Sequence, residues 1–312
     1  MRFILRKLAS FIATLLIISI LIFFMFNILP GNPALSILGT EADPGQVALL
    51  EAQLGLDAPL PNRYFDWVTG IFTGDFGESY RYSMPVFDVI SERIPLSLFI
   101  GAYALALTVI IGLPLGILIA RTDGKWYSLM MNILTQLGIS TPSFWIGFLL
   151  IFVFAVVLGW FPTYGFTHWS ESVTGALRSL FLPAFAIAIT NIAVVIRYLR
   201  NSILDEYQKE YIKLARMKGL NARETTYRHV LRNSIMPVLT ILGLITADTM
   251  VGTIIIENVF ALPGLGTLLV SSIEYRDFPL IQTLVMIVAI IIIIVNLIVD
   301  VLYRVIDPRV RL

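Results

Sequence analysis

Few residues of this chain could carry catalytic or metal chemistry. Its 312 residues include no cysteine and only two histidines, His168 and His229. The absence of cysteine excludes disulfides, thiolate metal sites and cysteine nucleophiles, and two histidines so far apart do not by themselves suggest a metal site. The chain also lacks the G-x-x-x-x-G-K-[ST] loop that cradles nucleotide phosphates. We therefore expect no catalytic residues on this chain and no cofactor bound by it.

The composition is that of a membrane protein. Hydrophobic residues make up 57 % of the chain and charged residues 14 %, whereas a soluble domain is roughly half apolar and about 25 % charged. The net charge of +1 gives no reason to expect a nucleic-acid partner. The composition predicts one unit embedded in the lipid bilayer.

Six segments are long and apolar enough to cross a bilayer as helices, which takes roughly 20 residues each. Open strands are excluded in lipid because their backbone groups would lack hydrogen-bond partners. We predict an all-α membrane protein with six transmembrane helices, at residues 8–29, 97–120, 143–161, 180–199, 235–257 and 281–303. The first segment resembles a signal peptide in its basic flank, but its apolar stretch is too long and no cleavage site follows it. We therefore predict that it is retained.

The basic residues predict the orientation. With the N-terminus in the cytoplasm, 17 of the 22 lysines and arginines fall on the cytoplasmic side, as the positive-inside rule requires. Both termini are then cytoplasmic. The chain divides into an N-terminal transmembrane helix (1–30), a long external loop (31–94), a core of five transmembrane helices (95–304) with a cytoplasmic loop (201–234), and a cytoplasmic tail (305–312).

The external loop is rich in proline and glycine, and two short helices are expected in it. One covers residues 48–54. The other lies near residues 62–68, where aromatic side chains are typical of anchors at a membrane interface.

Polar side chains inside the predicted spans are candidates for function, since ionisable groups at membrane depth are costly. Asp248 lies in the middle of the fifth span, and Asn191 lies in the fourth. Asp248 could line a passage through the membrane or contact a second subunit; the alternative is an interhelical hydrogen bond. Glu257 begins an external turn that we expect at the outer end of such a passage.

The stretch "EYIKLARMKGL" (210–220) is a dense charged patch in an apolar chain. The pairs Asp205–Lys209 and Glu210–Lys213 have helical spacing. Four residues fall on one helix face, namely Tyr207, Tyr211, Leu214 and Ala215, and three basic residues lie in the last turns, namely Lys213, Arg216 and Lys218. Gly219 would end this helix, and Asn221 with Glu224 would cap the next.

Two interpretations of this loop remain open from these residues alone. It could serve only to orient the protein through its positive charge. Alternatively, its order of helix, glycine turn and capped helix joined directly to a span suits docking to a cytoplasmic partner.

Residues 205–240, which contain this stretch, resemble the cytoplasmic coupling loop of the permease subunits of ABC importers, in the form found in peptide and nickel uptake systems. The matching positions are Tyr211, Ile212, Ala215, Arg216, Lys218, Gly219, Leu220, His229, Leu231, Arg232, Asn233, Pro237 and Val238. Further motifs resemble the family in the same order, including "LPGNPA" (29–34), "GDFGESY" (74–80), "STPSFWIG" (140–147) and "ENVFALPGLG" (257–266). The long loop after the first span resembles the first permease of the pair, the dipeptide/oligopeptide permease B type.

The resemblance implies a type I importer permease fold in a bacterial inner (plasma) membrane. It implies a second permease subunit, two ATP-binding subunits that hold ATP and Mg²⁺, and an external solute-binding protein. The implied coupling residues are Tyr211, Leu214, Ala215, Arg216, Lys218, Gly219 and Leu220. The implied substrate is a di- or oligopeptide, with nickel or a metal–chelator complex as the alternative. A secondary transporter is the alternative from another class, although the internal repeats typical of that class are not evident.

One position departs from the general pattern of the family. That pattern begins Glu-Ala-Ala before the glycine, and the corresponding residues here are Lys213, Leu214 and Ala215. The contact made elsewhere by that glutamate therefore has no evident counterpart in this sequence.

Overall fold

The computed structural model of the chain describes residues 2–28, 33–39 and 42–306. Within these residues the regular structure is helical, apart from an isolated antiparallel bridge between Glu78 and Pro85. The α-helices are α1 (Arg2–Ile28), α2 (Pro33–Leu38), α3 (Pro44–Gln53), α4 (Leu60–Thr73), α5 (Val86–Ser91), α6 (Ile94–Arg121), α7 (Trp126–Ser140), α8 (Ser143–Leu150), α9 (Val173–Tyr207), α10 (Glu210–Met217), α11 (Ala222–Glu224), α12 (Leu231–Val259), α13 (Leu265–Glu274) and α14 (Phe278–Ile306). There are also two π-helical segments: Ile151–Val157 directly follows α8, and Thr225–Val230 directly precedes α12. Most of the predicted tail and part of the "LPGNPA" motif lie outside the described residues.

Among the described residues, five helical stretches are long and apolar enough to cross a membrane. They are Ala9–Phe26, Val86–Arg121, Val173–Tyr207, Thr225–Val259 and Phe278–Val299. A sixth crossing is reached only if α7 and Ser143–Val157, bent by 109° relative to each other, count as one broken span. The prediction of an all-α membrane protein is confirmed.

The third predicted span, 143–161, needs correction. Its helix ends at Val157, and α7 before it was not predicted at all. Between the two helices, Thr141 has extended backbone angles (φ −100°, ψ 125°) and Pro142 follows. A proline disfavours helical angles in the residue before it, so the chain bends here and α7 is separated from the helix of the predicted third span.

Other helix boundaries differ from the predicted ones because neighbouring residues extend the helices. The expected helix at 48–54 is α3, which begins at Pro44, a residue well suited to a first helical turn. The expected interfacial helix is the longer α4. The fifth span, predicted at 235–257, continues back through the π-helical segment Thr225–Val230.

The described residues group into two compact units. One contains Met1–Leu96 and Pro263–Ile294, and its apolar core joins α5, α13 and α14. The buried carboxylate of Asp277 stabilises the loop between α4 and α5. It accepts hydrogen bonds from Ser79 Oγ (2.5 Å) and from the backbone N–H of Arg81 (3.2 Å). The Arg81 guanidinium also lies 3.5 Å from the centre of the Tyr275 ring, a cation–π contact that stabilises the same loop.

The second unit contains Ser97–Leu262 and Val295–Leu312, and it is organised around α9. Helices α7, α8 and α12 all pack on α9. The pair α9–α12 carries polar contacts: Ser202 Oγ and Ser234 Oγ each donate to the other's carbonyl at 3.1 Å, and Asn191 Nδ2 donates to Thr249 Oγ1 at 2.9 Å. In lipid such groups need protein partners because water is absent, and these bonds supply them.

Helix α6 approaches α9 along buried glycines. A Cβ at Gly112 would lie 3.1 Å from Val195 Cγ1, and one at Gly116 would lie 3.0 Å from Leu199 Cδ2. Both distances are shorter than ordinary van der Waals contact. Small residues that permit this approach are typical of helix interfaces in membranes.

We predict that Gly112→Leu destabilises this unit by about 1–3 kcal/mol, the usual cost of overpacking a well-packed interface. The thermal unfolding temperature of the purified protein in detergent checks this. Ala106→Leu adds bulk at an exposed position of the same helix and should leave the unfolding temperature nearly unchanged. Equal shifts in both variants would show that α6 and α9 do not meet closely at Gly112.

Candidate functional site

The first candidate site is α10, which presents apolar side chains outward. Ile212 is fully buried and packs with Leu199 and Ile203 of α9. Leu214 and Met217, in contrast, are 54 % and 74 % exposed. The helix is thus held to the unit by one face, and another face leaves apolar side chains exposed. Exposed apolar patches often mark sites of contact with another protein.

The predicted coupling residues are divided between these faces and the turn that follows. Tyr211 and Lys218 are exposed together with Leu214, whereas Ala215 and Leu220 are half-buried. Arg216 belongs to α10, but its side chain lies outside the described residues. Lys213, at the place of the family's glutamate, is exposed.

Gly219 ends α10 in the left-handed backbone region, with φ +89°. Among the described residues, a Cβ at this position would meet no atom within 4 Å. The glycine is therefore required by backbone conformation and not by lack of space, since residues with a Cβ adopt this region at a cost. The turn lets the chain reverse into the next helix.

The next helix begins as the sequence predicts. Asn221 Oδ1 accepts a hydrogen bond from the backbone N–H of Glu224 at 2.8 Å, which satisfies one of the free donors at a helix start. From there the chain continues through Thr225–Val230 into α12 without leaving helical structure. A single helical rod thus joins the glycine turn to the membrane-spanning segment.

A buried carboxylate, Glu206, ties the base of α10 to two long helices. It lies at the end of α9 and is 5 % exposed. Its oxygens accept hydrogen bonds from the hydroxyl of Tyr211 and from Asn233 Nδ2 (3.1 Å), and Lys209 Nζ lies 2.6 Å from Oε2. Asn233 Nδ2 also donates to the Tyr211 hydroxyl at 2.8 Å. We call these four residues the Glu206 cluster.

The two titratable hydrogen-bond donors of the Glu206 cluster, Tyr211 and Lys209, keep their protons at neutral pH. Burial raises the pKa of the Tyr211 hydroxyl, and its hydrogen bond to Glu206 raises it further. The hydrogen bond to Glu206 likewise raises the pKa of Lys209. Since both pKa values are raised above their ordinary values, both donors remain protonated at pH 7. The stability that Lys209 contributes is fully present below the ordinary lysine pKa and is lost as the pH rises through the raised one.

The sequence did not indicate Glu206. The spacing predicted that Lys209 pairs with Asp205, but the structure pairs it with Glu206 because α9 ends at Tyr207 and the chain turns before α10. The sequence signal that could have found Glu206 is its spacing from Leu199 and Ile203, which places an acidic residue on an apolar face of α9.

The second candidate site is a groove between α9 and α12, with a cavity of about 360 Å³. Its lining includes Asn191, Thr190 and Arg197 from α9 and Asp248 from α12. Arg197 and Asp248 are exposed, and the Asp248 carboxylate makes no hydrogen bond or ion pair with a described residue. Thr190 Oγ1 is buried and has no hydrogen-bond partner among the described residues. The groove therefore offers two opposite charges and one unsatisfied hydroxyl.

The sequence analysis singled out Asn191, Asp248 and Glu257 as candidates for a passage or a subunit contact, and these three residues do not lie together. Asp248 and Asn191 both line the groove, and the Asn191 amide is also bonded to Thr249. Glu257 is fully buried and accepts a hydrogen bond from Ser97 Oγ at 2.5 Å. The Glu257 carboxylate thus joins α12 to α6 and does not line the groove. Within the described residues, no group of three or more His, Cys, Asp and Glu side chains is placed to hold a metal ion.

Two family profiles match the chain. Residues 112–312 match the binding-protein-dependent transport system inner membrane component, and residues 1–101 match the N-terminal membrane component of the same systems. Together they cover most of both units.

Relatives of the chain align over nearly its whole length. A putative peptide transport system permease protein of Brucella abortus is 38 % identical over 308 residues, covering 99 % of this chain and 98 % of the relative. The glutathione transport system permease protein GsiC of Salmonella typhimurium is 37 % identical over 311 residues, covering 100 % of this chain and 99 % of the relative.

Solved structures share the fold. The inward-facing MetNI methionine ABC transporter aligns with a TM-score of 0.57 at 14 % identity, covering 70 % of this chain and 96 % of that one. An amino acid ABC transporter with histidines aligns with a TM-score of 0.52 at 18 % identity, covering 72 % and 94 %. The type I permease fold expected from the resemblance is confirmed. The chain belongs to the binding-protein-dependent transport system inner membrane component family, and it is a multi-pass inner membrane permease of a peptide-type ABC importer.

Proposed function

We propose that this chain forms part of the translocation path for di- or oligopeptides and that α10 couples the path to ATP-hydrolysing partner subunits. The observation that carries the proposal is the Glu206 cluster, which joins the exposed helix α10 to α9 and α12. These two helices supply most of the groove's lining. A force applied to α10 would therefore reach both helices of the groove together.

The coupling step follows from the rigidity of this connection. Closing of an ATPase pair displaces whatever is docked on it. Because α10 is anchored by buried Ile212 and by Glu206, it transmits the displacement instead of bending away. ATP binding and hydrolysis then bias an equilibrium between inward-open and outward-open arrangements of the permease. ATP and Mg²⁺ are bound by the partners and not by this chain.

The substrate class rests on the relatives. The Brucella relative is named for peptide transport and the Salmonella relative for glutathione, itself a short peptide. We propose a transporter of short peptides that also contains a second permease, two ATP-binding subunits and an external solute-binding protein. The groove between α9 and α12, with Asn191 and Asp248, is our candidate for the path or for the contact with the second permease.

We predict that Gly219→Val lowers ATP-driven peptide uptake by at least tenfold, because a β-branched residue at φ +89° costs roughly 1–2 kcal/mol and shifts the end of α10. Gly219→Asn should retain more uptake, since asparagine tolerates this region better. Uptake of labelled dipeptide by vesicles containing the assembled transporter is the measurement.

Gly124 provides a matched control for this substitution. It lies between α6 and α7, has φ +83°, and a Cβ there would likewise meet no described atom within 4 Å. Gly124→Val imposes the same strain away from α10. If it lowers uptake as much as Gly219→Val does, the effect comes from general strain and α10 is not the coupling element.

We predict that Glu206→Ala increases amide hydrogen exchange in α10 by roughly 10- to 100-fold. A hydrogen bond to a charged group contributes about 1.5–3 kcal/mol, and this change removes the acceptor shared by Tyr211, Asn233 and Lys209. In the assembled transporter it should also raise the ATP hydrolysed per peptide imported, because motion of α10 is no longer passed to α9 and α12.

Asp205→Ala is the control, since Asp205 is exposed and next to Glu206 in sequence. It should change neither the exchange in α10 nor the ratio of ATP hydrolysed to peptide imported. A Glu206→Ala variant with faster exchange but an unaltered ratio would refute the role of Glu206 in coupling while leaving its role in the fold.

A further inference from the structure

We propose that the groove between α9 and α12 binds both ends of a short peptide, with Asp248 taking the ammonium group and Arg197 the carboxylate. The proposal rests on the function proposed above and adds the chemical groups that the permease itself recognises. Arg197 and Asp248 are the charged residues in the lining of this cavity.

The spacing of the two charges fits a short peptide. Asn191 on α9 bonds to Thr249 on α12, so Asp248 lies near the level of Asn191. Arg197 is six residues further along α9, which corresponds to roughly 9 Å along the helix axis. Two or three extended residues span roughly 7–10 Å. The termini of a di- or tripeptide could thus reach both charges at once.

Size and polarity of the groove agree with this occupant. Its volume of about 360 Å³ lies at the lower end of the range for small-molecule sites. The buried Thr190 Oγ1 has no partner among the described residues and could bond to the backbone of a bound peptide. Leu244, at 63 % exposure, supplies apolar lining for side chains.

The cost of the two charges also requires an explanation. Both lie in helices that are candidates for crossing the membrane, where ionisable side chains are expensive. The Arg197 guanidinium lies 5.6 Å from the centre of the Tyr198 ring, and Asp248 forms no ion pair with a described residue. A zwitterionic ligand would neutralise both groups at once, and only while it is bound.

Binding of three probes to the assembled transporter, in lipid nanodiscs without the solute-binding protein and without ATP, tests the proposal. The probes are radiolabelled dialanine, N-acetyl-dialanine, which lacks the ammonium group, and dialanine amide, which lacks the carboxylate. We expect Asp248→Asn to weaken binding of dialanine and of its amide about tenfold and to leave N-acetyl-dialanine unaffected. We expect Arg197→Gln to weaken dialanine and N-acetyl-dialanine and to leave the amide unaffected.

Conservative variants and a distant charge change serve as controls. Asp248→Glu and Arg197→Lys should restore part of the affinity, and Asp205→Asn, outside the groove, should change none of the three affinities. A misfolded variant would lose all three probes equally, whereas the proposal requires a selective loss.

Three outcomes would overturn the proposal. They are an equal loss of all three probes in the conservative variants as well, no change in any affinity, or no binding of dialanine by the unmodified transporter. Because the assay needs no ATP, these failures are distinct from failure of the proposed function. That failure would appear as an absence of ATP-driven dialanine uptake in the complete system.

Discussion

The antiparallel contact between α9 and α12 is the interaction on which the second unit depends. Three hydrogen bonds join the two helices, the reciprocal pair between Ser202 and Ser234 and the bond from Asn191 to Thr249. These side chains sit in helices meant for lipid, where an unpaired polar group costs several kcal/mol. The bonds therefore specify which faces of α9 and α12 meet, and with them the faces that are left for the groove. Helices α7 and α8 then pack on the remaining surface of α9.

From this contact the protein builds one mechanical connection. At one end of the pair, Glu206 accepts hydrogen bonds from Tyr211 and Asn233 and forms an ion pair with Lys209. It thereby anchors α10 to both helices. Further along the same pair, Arg197 and Asp248 line the groove. The anchor of α10 and the lining of the groove thus lie on the same two helices. In the function proposed above, this connection would pass the motion of the partner subunits to the groove.

The Glu206 cluster also bears on the departure at Lys213. The family pattern has a glutamate at that place, whereas this chain has an exposed lysine. A carboxylate is nevertheless present beside α10, buried at the end of α9 and bonded to the tyrosine that precedes Lys213 by two residues. Its position is internal, so it holds the helix to its own subunit. The outward side of α10 is left to Leu214 and Met217, whose apolar side chains suit packing against another protein.

The order of residues along the chain was enough to predict the membrane class, the apolar segments, the end of α10 at Gly219 and the Asn221 cap, because these depend on local composition and on backbone conformation. It also carried the family motifs. Three-dimensional packing was needed to show that the third apolar segment is bent against α7, that Lys209 pairs with Glu206, and that Glu257 is buried against Ser97 while Asp248 remains in the groove. Periodicity along one helix indicates which residues share a face. The partner of that face is set by packing between segments distant in sequence, and so is whether a carboxylate finds a hydrogen-bond donor within the chain.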